Sequence, residues 1–142
     1  MRPPLQFRLN IIPPKTTHQA KKIVRIGGFS KLADKPELVA VINDYLTLLQ
    51  PHAPEKPFDG AVKLTLEFIF PWRKSESKKN RLKSKIPMTS KPDWDNLGKT
   101  IADTMTKLKF WNDDAQITQG RVCKYWGDNV GITITIQEIE EI

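Results

Sequence analysis

Val62, Leu64, Leu66, Phe68 and Phe70 alternate with Lys63, Thr65, Glu67 and Ile69 in one unbroken run. An extended strand puts such a set on one side, because successive side chains point to opposite faces. A strand of this kind needs partners, so the chain must build a sheet with an apolar face. Leu5, Phe7, Leu9 and Ile11 alternate in the same way, and Pro13-Pro14 stops them. Residues 15–33 are basic, polar and glycine-containing without a clear period, which reads as a basic arm or loop.

Two stretches carry the helical period instead. Leu38, Val41, Ile42, Tyr45, Leu48 and Leu49 recur at helical spacing after Asp34-Lys35-Pro36-Glu37, with Asp34 as the expected cap. Pro51 and Pro54 end that helix. Leu97, Ile101, Met105 and Leu108 form a second stripe between about Asp95 and Leu108. Gly98 weakens that helix by about 1 kcal/mol relative to alanine, either because something approaches closely or because it is tolerated. Ile117 to Tyr125 reads as a strand with a bulge at Gly120, and Val130, Ile132, Ile134 and Ile136 as another, the two forming an antiparallel hairpin. The order β-α-β-α-β-β predicts an α+β fold: a mixed β-sheet of about four strands packed with two helices. At 142 residues the chain is expected to be a single domain over 1–142.

Charge is distributed unevenly along this frame. Between Trp72 and Lys91 stand Arg73, Lys74, Lys78, Lys79, Arg81, Lys83, Lys85 and Lys91 against one acid, Glu76. That segment therefore carries +7, equal to the net charge of the whole chain. It reads as a mobile basic loop over 72–91 whose density of charge suits phosphate contact more than sequence readout. A basic balance argues for nucleic acid or another anionic surface as partner. One cysteine, Cys123, excludes an internal disulfide and a cysteine-cluster zinc site, and His18 and His52 have no metal-ligand spacing. No apolar run approaches the roughly 20 residues of a membrane span, and no signal-peptide core is read, so no membrane partner and a cytoplasmic location are expected.

Inside this basic chain, acids cluster at both ends of the second helix. Asp93 and Asp95 flank Trp94 at its start, and Asp113-Asp114 follows Trp111-Asn112 at its end. Carboxylate oxygens are the ligands that hard cations such as Mg²⁺ prefer. Each pair alone reads more readily as a cap or a turn. Together they repel one another, and a cation would hold them. A helix of about 13 residues is roughly 20 Å long, so the chain must fold back for Asp114 to meet Asp93, with Phe110-Trp111 as a core anchor for the return. Lys99, one turn beyond Asp95, is either a helix-surface ion-pair partner or a positive group near a reacting phosphate. Trp94 is expected to pack. Trp72 and Trp126 are also better read as packing residues than as platforms for bases.

Lys91-Pro92-Asp93-Trp94-Asp95-Asn96-Leu97-Gly98-Lys99 with Phe110-Trp111-Asn112-Asp113-Asp114-Ala115-Gln116 resembles the RusA family of Holliday-junction resolvases, often phage- or prophage-encoded. The match runs through about residues 92–124. The resemblance implies a RusA-like fold and a homodimer that nicks four-way DNA junctions symmetrically with Mg²⁺ or Mn²⁺. It places metal ligands at Asp93, Asp95 and Asp114, an essential lysine at Lys99, and a recurrent accessory position at Asp113. Trp94, Gly98 and the long basic segment depart from the family pattern. The rival expectations are a non-catalytic basic DNA-binding protein, and a nuclease acting on flaps or forks.

Overall fold

The computed structural model describes residues 2–16, 21–26 and 29–140, and over residues 21–34 the backbone alone. In chain order the elements are β1 Leu5–Leu9, β2 Lys21–Ile26, β3 Phe29–Asp34, α1 Pro36–Leu49, β4 Val62–Phe70, α2 Lys78–Arg81, β5 Lys85–Pro87, α3 Trp94–Lys107, β6 Ile117–Gly127 and β7 Gly131–Glu138. A five-stranded mixed sheet runs in the order β1-β7-β4-β6-β5. The alternating run is its centre: β4 pairs antiparallel with β7 on one side and parallel with β6 on the other. Burial on its core-facing side is nearly complete, with Val62, Leu66, Phe68 and Phe70 all at 0% exposure. Leu38, Tyr45 and Leu49 of α1 and Leu97, Ile101 and Met105 of α3 are also buried, and most of them join β4 in one cluster. The α+β class stands, with one more strand in the sheet than expected.

Four details differ from expectation. β6 and β7 are not hairpin neighbours, because β4 lies between them. Residues 128–130 cross over the end of β4, a gap of roughly two strand spacings or about 9.6 Å, which three extended residues span. Gly131 receives that crossing at φ +154°, where an added Cβ would lie 2.8 Å from the Leu9 carbonyl oxygen. The register slip in β6 falls between the Val62↔Ile117 and Lys63↔Gln119 pairs, leaving Thr118 as the extra residue instead of Gly120. Asp34 is the last residue of β3, and Lys35 takes the extended conformation ahead of Pro36. The arm expected over 15–33 contains the antiparallel β2–β3 pair, registered from Lys21↔Asp34 to Ile26↔Phe29. His18 lies outside the described residues.

The segment 72–91 is likewise built, not loose. Glu76 accepts two hydrogen bonds from the Arg73 guanidinium, at 2.9 and 2.8 Å, and one from Asn80 Nδ2 at 2.7 Å. These bonds hold its carboxyl below the ordinary carboxylate range, the Asn80 bond most and the Arg73 bond next. Arg81 donates to the Arg73 carbonyl at 2.9 Å, and the Ser77 hydroxyl caps α2 by accepting from the Asn80 amide at 3.1 Å. β5 then pairs with the far end of β6. The lone acid of the stretch, which composition treats as a minor offset, is its organiser.

Candidate active site

α3 is where the acid motif and the core meet. Its inner stripe of Leu97, Ile101 and Met105 is buried, with Asn96, Thr100 and Thr104 beside it. The Thr100 and Thr104 hydroxyls donate back to the Asn96 and Thr100 carbonyls at 2.9 Å, so buried oxygens are satisfied inside the helix. Gly98 has a definite role: an added Cβ would lie 2.9 Å from Val122 Cγ2. The helix therefore sits close on β6, and close approach is the reason for this glycine.

After α3 the chain turns back through Phe110 and Trp111, both at 0% exposure. The Trp111 indole donates to the Thr106 hydroxyl at 2.7 Å, and the Phe58 amide to the Phe110 carbonyl at 2.8 Å. A short 3-10 turn, Asp114–Gln116, follows. Asp113 caps it, accepting from the Ala115 amide at 2.8 Å. The Gln116 side chain accepts from the Asn112 and Asp113 amides at 2.8 and 3.0 Å. It also donates to the Phe58 and Gly60 carbonyls at 2.8 and 2.9 Å. Gln116 thus fixes the turn that carries Asp114, a role sequence reasoning missed. The signal was present, since an Asp with Gln three residues on is the capping-box pattern.

The result is a cleft of about 300 Å³ between α3, β4 and β6. Asp95, Lys99, Asp103 and Asp114 all line it, with Trp94 and Arg121, over the apolar side chains of Leu64, Leu66, Ile117 and Val122. Asp114, on the returning chain, faces the helix near its middle. Its carboxyl is pushed above the ordinary range, first by desolvation, then by its hydrogen bond with Asp113 and by the charges of Asp103 and Asp113, while Lys99 opposes the shift. Lys99 Nζ stands 3.6 Å from Asp103 Oδ2. Asp103 was visible in the sequence as the i+8 partner of Asp95 and i+4 partner of Lys99, but not assigned to the site.

Asp93 is placed differently. It precedes the first turn of α3 with an extended backbone, makes no capping bond, and is not among the residues lining the cleft. Lys91 Nζ binds its Oδ1 at 2.8 Å. The segment in front of it is clamped from β6: Lys124 Nζ donates to the Ser90 and Pro92 carbonyls at 2.5 and 2.7 Å, and the Met88 amide donates to the Lys124 carbonyl at 3.1 Å. Among the described residues, no group of three His, Cys, Asp or Glu is assembled that could hold a metal ion. The donor chemistry nevertheless suits Mg²⁺, which commonly takes one or two carboxylates and completes its shell with waters and substrate phosphates. The mutual repulsion at Asp114 is what a cation would relieve.

The eight basic residues of 72–91 divide into two groups. Arg73 and Arg81 are tied to Glu76 and the local backbone, Lys85 lies 3.5 Å from Glu67 and over the Tyr125 ring, and Lys91 holds Asp93. Lys74, Lys78, Lys79 and Lys83 are exposed. Trp126 is buried beneath the Arg73 guanidinium, and Trp72 donates to Asp128 at 2.6 Å, so both serve packing and pairing.

Three carboxylates and a lysine thus share one cleft along the first two-thirds of α3. The family model described as Endodeoxyribonuclease RusA matches residues 4–137. A crossover junction endodeoxyribonuclease rusA of Lactococcus phage r1t is 32% identical over 136 residues, covering 94% of this chain and 96% of the phage protein. The Escherichia coli K12 protein of that name is 40% identical over 60 residues, 40% of this chain and 50% of its own length. The protein YqaN of Bacillus subtilis strain 168 is 29% identical over 93 residues, 62% of this chain and 65% of its own length. The chain belongs to the RusA family of endodeoxyribonucleases. Among the described residues, no helix is long and apolar enough to cross a membrane.

Proposed function

We propose that this protein is a Mg²⁺-dependent endonuclease that binds four-way DNA junctions as a homodimer in the cytoplasm and nicks two symmetric strands. The observation that carries the reading is the cleft itself: Asp95 and Asp114, from segments separated by a whole helix, line one space together with Lys99. Family membership adds the substrate class, through the names of the phage and E. coli relatives.

In this reading Asp95 and Asp114 would hold the ion, and Asp93, paired with Lys91 in this structure, would be the third carboxylate toward it. A bound Mg²⁺ supplies Lewis-acid charge neutralisation and an activated water. The chain's own residues do the rest. Lys99 offers its ammonium to charge growing on the scissile phosphate. Asp113 and Gln116 keep Asp114 in place, and Lys124 keeps the Asp93 segment in place. Exposed Lys74, Lys78, Lys79 and Lys83 contact backbone phosphates and add affinity without sequence choice. Two opposed cuts on a two-fold junction call for two related sites, hence the symmetric dimer.

The test is incubation of purified protein with a synthetic four-way junction, a fork, a flap and a linear duplex, each with Mg²⁺ and with EDTA. Paired nicks on the junction, dependent on Mg²⁺, are expected. Equal cutting of flaps or forks would favour the broader nuclease, and binding without cutting would leave a DNA-binding protein.

A further inference from the structure

Trp94 does not pack as its sequence position suggests. It stands three residues before Leu97, in phase with the buried stripe, yet it is 60% exposed while Trp111 and Trp126 are 0% and 6% exposed. An indole is worth more to a fold buried than exposed, since it covers about 150–250 Å². Of the large hydrophobic residues exposed among the described residues, Ile12, Val39, Leu82 and Trp94, Trp94 alone lines the acid cleft. Its neighbours on the cleft are Asp95, Lys99 and Arg121 above an aliphatic floor.

We propose that Trp94 stacks on one unpaired nucleobase of the bound DNA at the rim of this cleft, so that base stacking beside the cut positions the strand. The inference rests on the endonuclease reading and names what the same site recognises beyond phosphate. A nucleotide has a flat, weakly polar base joined to an anionic phosphate. The cleft offers the matching halves: an indole and aliphatic side chains for the base, and Lys99 and Arg121 for the phosphate. Its volume of about 300 Å³ is at the low end for small-molecule clefts, room for a single base but not for a stretch of duplex. Trp94 is the immediate chain neighbour of Asp95 in the first turn of α3, so a phosphate held near Asp95 brings its own nucleotide within reach of the ring. Stacking accepts any base, because each has a π-face, but it requires that the base be free of its own stack. In an open four-way junction the base pairs at the branch point have lost the stack on one face, and extruding a base costs least where its stack or pair is already weakened. Trp94 therefore adds discrimination for branched DNA that the lysines of 72–91 cannot supply.

The test uses the full chain, junction and linear duplex in EDTA, so that binding is read without cleavage. Trp94→Ala should weaken junction binding about tenfold and duplex binding little, and Trp94→Phe should restore most of the loss. Saturating junction should quench part of the parent's tryptophan emission, and that part should be missing in Trp94→Phe, because the other three indoles are buried or half-buried. Abasic sites placed singly around the branch point should include one position at which the Trp94→Ala penalty disappears. Equal losses on junction and duplex, no abasic position that cancels the penalty, or a changed oligomeric state of Trp94→Ala in sedimentation would each overturn the proposal. If the parent binds and cuts junctions while Trp94→Ala matches it, stacking falls and the endonuclease reading stands. A parent that binds no DNA overturns both.

Discussion

Residues 72–91 hold eight cations and one acid; residues 93–116 hold five aspartates and three lysines. In the basic stretch order comes from pairing. Glu76, its side chain enclosed by its partners, gathers Arg73 and Asn80, and Arg81 closes on the backbone. In the acidic stretch order comes from packing. Leu97, Ile101 and Met105 fasten the helix, Phe110 and Trp111 fasten its return, and the carboxylates are left facing one cleft. Charges ordered by pairing are already satisfied within the chain. Charges brought together by packing are left without such partners: desolvation first, then the bond with Asp113 and the charges of Asp103 and Asp113, raise the Asp114 carboxyl. On the proposed function, the second arrangement would take a cation and the first would meet phosphates.

The sharpest way to break this contrast is to remove one packed charge. Asp95→Asn should lower the single-turnover cutting rate on saturated junction by about 100- to 1,000-fold, since a metal's charge stabilisation is worth several kcal/mol and each 1.36 kcal/mol is tenfold. Junction binding in EDTA should hold or improve, because one charge repelling the phosphates is gone. Cutting at the parent rate would make Asp95 a cap and the cleft a bystander.

A milder test loosens the segment in front of Asp93 while sparing the acids. Lys124→Met removes two charge-assisted bonds to the Ser90 and Pro92 carbonyls. It should cost about 1–3 kcal/mol of stability in denaturant titration. Cutting should slow about tenfold from misplacement of Asp93, with junction affinity nearly unchanged. If rate and affinity fell together, Lys124 would belong among the phosphate contacts.

Much of this was legible in sequence where a residue's neighbours lie along the chain. The β4 alternation, both helical stripes and the Phe110-Trp111 anchor follow from local period and burial. The pairing order did not, because β7 and β6 both match an apolar strand, and which edge each takes depends on how residues 128–130 cross the end of β4. The β2–β3 pair was not expected although Gly27-Gly28 between two runs is a hairpin signal; the basic and polar residues around it suit an exposed loop equally well. In the site, the acids announced themselves. Gln116 did so only through its capping-box spacing from Asp113, and Trp94 and Lys124 did not, since exposure and main-chain hydrogen bonding are properties of the folded neighbourhood.

On the basic side, Lys78 and Lys79 are exposed, while Arg81 is tied into the turn. Replacing the two lysines by alanine should flatten the slope of log affinity against log salt by up to about 1.8, at 0.9 per lost phosphate contact on duplex arms. Cutting of saturated junction should change much less than in Asp95→Asn. An unchanged slope would show that pairing has left this surface solvated and idle.

The smallest effect concerns the knot at Glu76, and it tests whether pairing truly orders that stretch. The Glu76 carboxyl lies below its ordinary value of 4.5 through bonds from Asn80 and Arg73. An acid with a lowered folded value favours the folded state when ionised. Its contribution is full above about 4.5 and is lost as pH falls through the lowered value. Amide exchange over residues 77–82 should therefore be steady from neutral pH down to that point and lose protection below it, relative to the intrinsic rates. Glu76→Gln should show the loosened pattern already at pH 7, by a few-fold, because the Arg73 guanidinium of the pair stays half-exposed and screened by water. The salt slope of junction binding should stay near the parent's, since the lysines themselves are intact, while the spread of arm contacts becomes less uniform in footprinting. Full protection in Glu76→Gln at neutral pH would mean that α2 is held by its Ser77 cap and the β5–β6 pairing alone, and that charge pairing does not order the basic region.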